Sequence, residues 1–129
     1  MGAPALRVRR LTAHDENGTL SFNGTAENAA GQESCLSFLP FADYDAERRD
    51  KYRERLAVLF SGLHGTDNGR IRVVSLSLTA SESSLTIKGT ALRGNGILNL
   101  NTSLDSGDRR LAAYEHHFGQ LFEDLRNED

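Results

Sequence analysis

Apolar and polar residues alternate in six stretches of this chain, and apolar residues recur at helical spacing in two others. Leu20 and Phe22 share one parity while Ser21, Asn23 and Thr25 share the other. Leu85 and Ile87 alternate with Thr86 and Lys88, and Leu98 and Leu100 alternate with Asn99 and Asn101. A period of two marks strands with one face buried. It predicts strands over 5–13, 18–26, 34–41, 70–79, 84–92 and 96–104. Tyr52, Leu56, Leu59, Phe60 and Leu63 form an apolar stripe, as do Leu111, Tyr114, Phe118, Leu121, Phe122 and Leu125. These spacings predict amphipathic helices over 44–63 and 108–126. Asp43 or Asp45 is expected to cap the first helix, and Ser106 or Asp108 the second.

The first strand of each set changes phase along its length. Leu6 and Val8 lie on one parity and Leu11 and Ala13 on the other, and Ile71 and Val73 are followed by Leu76 and Leu78. Both parities can face one core only if an extra residue intervenes, so a bulge is expected near Arg9-Arg10 and near Val74-Ser75. Turn chemistry separates the strands at His14-Asp15-Glu16-Asn17-Gly18, Ser81-Glu82-Ser83 and Arg93-Gly94-Asn95-Gly96. Gly62 to Gly69, rich in glycine and small polar residues, ends the first helix and leads to the fourth strand.

The same succession appears twice. At an offset of 65, residues 6–26 meet 71–91 with seven identities in 21 pairs, including Gly24-Thr25-Ala26 on Gly89-Thr90-Ala91. At an offset of 62, residues 35–63 meet 97–125 with seven identities in 29, including Tyr52 on Tyr114. Unrelated chains share roughly one residue in fifteen. The sequence therefore predicts an α+β fold made by tandem duplication of a β-β-β-α unit. A single domain over 1–129 would comprise pseudo-repeats at about 5–65 and 70–126, with antiparallel strands and both helices on one face.

Composition narrows the class. The chain has 129 residues, 38% hydrophobic and 26% charged, with a formal charge of −3. This suits a globular domain and argues against a protein built mainly to hold nucleic acid. No apolar run approaches a membrane span, and residues 1–13 lack the apolar stretch of a signal peptide, so no membrane partner is expected. Cys35 is the one cysteine, which excludes an internal disulfide and suits a reducing cytoplasm. Its match to Ile97 predicts a buried, inert thiol.

Catalytic chemistry leaves little trace. The chain has no phosphate loop, dinucleotide fingerprint, Gly-x-Ser-x-Gly elbow or His-Glu-x-x-His motif. His116 and His117 are adjacent on a helix and diverge by about 100°, too far to converge on one metal. Asp15-Glu16 and Glu123-Asp124 are expected to be solvated charges. No enzyme activity, cofactor or metal is expected.

The remaining features favour surface recognition. Arg48, Lys51 and Arg55 on the first helix are candidate partner-binding residues, together with the apolar Leu39, Phe41 and Val58, which the alternation leaves exposed. The polar sheet face, with Ser21, Asn23, Thr25, Thr86, Lys88, Thr90, Asn99 and Asn101 and joined by Arg7 and Arg72, is a second surface. The expected function is a small non-enzymatic protein-binding module, an inhibitor, immunity-type or adaptor protein with an electropositive partner. Alternatives are nucleic-acid binding through Arg48, Arg49, Lys51, Arg53 and Arg55 or the polar sheet face, and a small-molecule site between the repeats near His117, Tyr52 or Tyr114. Free sheet edges also permit a homodimer.

Overall fold

A computed structural model describes residues 6–66 and 71–128. The strands are β1 (Arg7–Glu16), β2 (Thr19–Glu27), β3 (Glu33–Phe41), β4 (Ile71–Ala80), β5 (Leu85–Arg93) and β6 (Gly96–Leu104). The helices are α1 (Ala46–His64), after β3, and α2 (Leu111–Glu128), after β6. The protein is thus α+β. All six strands join one antiparallel sheet in the order β3-β2-β1-β4-β5-β6. Residues 67–69 of the connection expected over Gly62 to Gly69 lie outside the described residues, as do the first residues of the strands expected at 5–13 and 70–79.

Bulges lie where the phase changes place them. Val8 pairs with Ala26 and Arg10 with Thr25, so Arg9 is the extra residue in β1. Val73 pairs with Ala91 and Ser75 with Thr90, so Val74 is the extra residue in β4. Each bulge brings both apolar sets of its strand onto the buried face. The strand opposite then needs a glycine. A Cβ on Gly24 would run into the carbonyl of Arg10, and one on Gly89 would come within 2.7 Å of the carbonyl of Ser75.

A third irregularity corrects the reading of β3. Phe22 pairs with Leu39 and Gly24 with Leu36, so Ser37 and Phe38 together span the place of Asn23. Leu36 and Leu39 consequently both face the core, and Phe38 turns outward, 63% exposed. Leu39 and Phe41, expected at the surface, are core residues at 9% and 1% exposure.

Cys35 is likewise corrected: it is exposed, not buried. Cys35 lies opposite Thr25 as Asn99 lies opposite Thr90. Cys35 alternates with the buried Leu36 and so faces the open side of the sheet, and Ile97, from which burial was expected, is itself 65% exposed.

The hairpin turns are local. The turn after β1 is shorter than expected, since His14, Asp15 and Glu16 stay in the strand and only Asn17-Gly18 reverses the chain, both at positive φ. Ser81 donates its N–H to the carbonyl of Ser84 at 2.9 Å. The expected side-chain cap is absent at α1. Asp45 precedes α1 without a side-chain cap bond, while Asp43 instead holds Arg49. Asp108 accepts the N–H of Arg110 at 2.8 Å just ahead of α2.

Both helices cover the same sheet face. Tyr52 of α1 meets Phe22 and Phe41, and the buried side chains of both helices join one core with Leu11, Leu20, Leu76, Leu78 and Ile87. The helices run antiparallel, since Tyr52 meets Glu128, Arg55 meets Asp124 and Gly62 meets Tyr114. Each crosses the middle of the sheet: α1 begins over β2 and β3 and packs chiefly on β4, while α2 packs on β1 and ends near β3.

Candidate functional site

Side-by-side packing of the helices leaves a groove of ≈ 520 Å³ along their outer side. Lys51, Glu54, Arg55, Val58 and Leu59 line it from α1, and His116, His117 and Gln120 from α2. Helical spacing explains the grouping, because residues three, four, seven and eight apart share a face. Lys51, Arg55 and Val58, three of the six candidate residues, therefore meet here. Val58 is 50% exposed and sits beside the partly buried Leu59. Arg48 lies one turn outside the groove, ion-paired to Asp45 and, at 3.2 Å, to Glu128. Leu39 and Phe41 lie beneath the helices and contribute nothing to this surface.

The groove's two cations are held in place. Arg55 donates to Asp124 at 2.7 Å, and Gln120 donates to the same carboxylate at 3.0 Å. Lys51 lies 3.7 Å from Glu128 and 5.0 Å above the Tyr52 ring, with Arg55 at 5.6 Å from that ring. The Tyr52 hydroxyl bonds Glu128 at 3.1 Å. Burial, reinforced by that neighbouring carboxylate, pushes the phenol well above its ordinary pKa. His116 and His117 are both exposed, with ring centroids 6.0 Å apart. Among the described residues no three of His, Cys, Asp and Glu are placed to hold a metal ion.

Every residue of the basic run has an acidic neighbour. Arg49 pairs with Asp43 and Asp50, and Arg53 with Asp15 and Asp50. With the pairs of Arg48, Lys51 and Arg55 already described, the run presents compensated charge.

Asp15 is the main surprise, because its side chain is fully buried at the end of β1. Arg53 donates to it through Nε at 2.8 Å and Nη2 at 2.9 Å, and Arg72 through Nε at 3.3 Å and Nη2 at 3.1 Å. Burial works to raise its pKa, but the two guanidinium groups outweigh it and hold the carboxyl below its ordinary value. The signal was in the sequence: Asp15 shares the parity of Leu11 and Ala13 and so points inward. Placing it in a turn hid this.

The open sheet face carries Ser21, Asn23, Thr25, Thr86, Lys88, Thr90, Asn99 and Asn101, as expected. Arg7 and Arg72 do not join it. Arg72 turns to Asp15 on the helix side, and Arg7 donates to the carbonyls of Ser81 and Glu82 and approaches Glu115. Arg10 supplies a cation instead, donating to Asn23 at 3.0 Å. No helix among the described residues is long and apolar enough to cross a membrane. No family model, curated protein or solved structure matches the chain.

Proposed function

We propose that this chain is a non-enzymatic protein-binding module, of the inhibitor, immunity or adaptor kind, that engages its partner through the groove between α1 and α2. The observation that carries this reading is the half-exposed Val58 set between ion-paired Lys51 and Arg55 and the two exposed imidazoles. An apolar centre ringed by polar groups is the anatomy of a recognition patch. The formal charge of −3 favours an electropositive partner through faster encounter. Nucleic-acid binding is less well supported, because the basic run is already compensated internally. A lone, exposed cysteine suits a reducing cytoplasm.

The scaffold itself fits an origin by tandem duplication within a single domain. The two bulged residues, Arg9 and Val74, are 65 positions apart, as are the two glycines that receive the bulged strands, Gly24 and Gly89. A shared bulge with its matching glycine is a joint device that apolar patterning alone would not reproduce.

The test is capture from native extract with tagged chain, native or carrying Val58→Glu. The native chain is expected to retain one stoichiometric protein. Val58→Glu should lose it while changing stability by no more than about 0.5 kcal/mol, as exposed sites do. Retention that Val58→Glu leaves intact would remove the groove from the function. Nuclease-sensitive co-elution without a protein would favour the nucleic-acid reading.

A further inference from the structure

The sheet has two outer strands, β3 and β6, and their edges are built differently. β3 is protected against pairing. Pro40 offers no N–H, Ser37 and Phe38 break the register, Glu33 places a charge at its start, and Arg126 of α2 occupies the carbonyl of Cys35 at 3.2 Å. Proline, bulges and charge are the usual means of keeping a foreign strand off an edge.

β6 shows none of these sequence devices. Its nine residues, Gly96–Leu104, include no charged side chain and no proline, and they keep unbroken register with β5. Ile97, on its open face, is 65% exposed. We propose that β6 pairs antiparallel with β6 of a second copy of this chain, joining the two sheets about a twofold axis through Leu100.

Leu100 is the midpoint of the strand, so this register pairs all nine residues. A strand crossing its own copy about a twofold meets a self-complementary surface. On the open face Asn99 falls opposite Asn101 of the second copy, where each amide can both donate and accept. On the helix face the partly buried Leu98 is covered by Thr102 of the second copy, and on the open face Ile97 gains Ser103 as its cross-strand neighbour. No like charges oppose one another, the arrangement that most weakens cross-strand pairs. The surface involved is small, which makes the dimer one that dissociates on dilution.

Sedimentation equilibrium tests this with charge exchange at Asn99 and Asn101, both exposed in one copy. The native chain is expected to dimerise at high micromolar concentration. Asn99→Lys with Asn101→Lys places lysines opposite lysines and should weaken association about tenfold or more; Asn99→Glu with Asn101→Glu should do the same. Mixing the two double variants should restore a heterodimer, which also shows that both are folded. A native chain that stays monomeric overturns the proposal and leaves the edge to an extended segment of another protein. A dimer indifferent to the lysines, or a mixture that fails to associate, overturns it as well.

Discussion

Asp15 joins three elements with one carboxylate: its own β1, α1 through Arg53, and β4 through Arg72. Replacing it with alanine leaves two guanidinium groups facing each other without a counter-charge. Because both arginines keep some contact with water, the expected loss is about 2–3 kcal/mol in urea denaturation, toward the low end for broken buried pairs. The sign of the pH dependence follows from the lowered pKa. Asp15 holds its proton less readily folded than unfolded, so its stabilisation is complete above its ordinary value of 3.8 and fades as pH falls through the lower folded value. The gap between native chain and Asp15→Asn should therefore be constant near neutrality and close in acid. A gap that widened below pH 4 would contradict the geometry. Asp15 was legible through parity, and so was Cys35, which alternates with the buried Leu36; matching it to the apolar Ile97 hid this.

At the scale of the element, bulges decide which residues the core receives. Those in β1 and β4 were legible because apolar residues occupy both parities of each strand. The one in β3 left a similar trace in Leu36 and Leu39, but Leu36 and Phe38 also form a plausible alternating pair, and that pairing conceals it. Gly24 and Gly89 are the steric partners of the first two bulges. Gly24→Ala would press a methyl into the backbone of β1 and should cost about 2–3 kcal/mol. Gly89→Ala, with slightly more room, should cost about 1–2 kcal/mol. Equal and negligible losses in chemical denaturation would mean that the bulges can move aside. Helix positions were readable to within a few residues from the apolar stripes, yet the start of α1 was not. Asp43 and Asp45 are both suitable acceptors, and Arg49 claims the first for an ion pair.

Across the whole molecule, the order of the strands could not be read from periodicity, which says which face is buried but not which strand lies beside which. Pairing β1 with β4 puts the contact between the two halves at the centre of the sheet. The helices then cross that seam in opposite directions. Such an arrangement should unfold in one cooperative step. Hydrogen exchange is expected to be slowest for the amides bonded across Arg10–His14 and Ser75–Thr79, and fastest on β3 and β6. Loss of one half's protection at lower denaturant than the other's would contradict it. The groove was half legible: Lys51, Arg55 and Val58 stood out on α1, while His116 and His117 joined them only through the crossing of the helices.

The central seam also has a consequence for synthesis. While the ribosome is still adding the later strands, β1, β2, β3 and α1 have emerged with the inner edge of β1 unpaired and the sheet-facing side of α1 without β4 beneath it. Both surfaces are hidden only when β4 follows, and the roof over β1 closes last, with α2. The nascent first half is therefore the form of this protein most exposed to mispairing, and the one for which a chaperone's transient cover matters most.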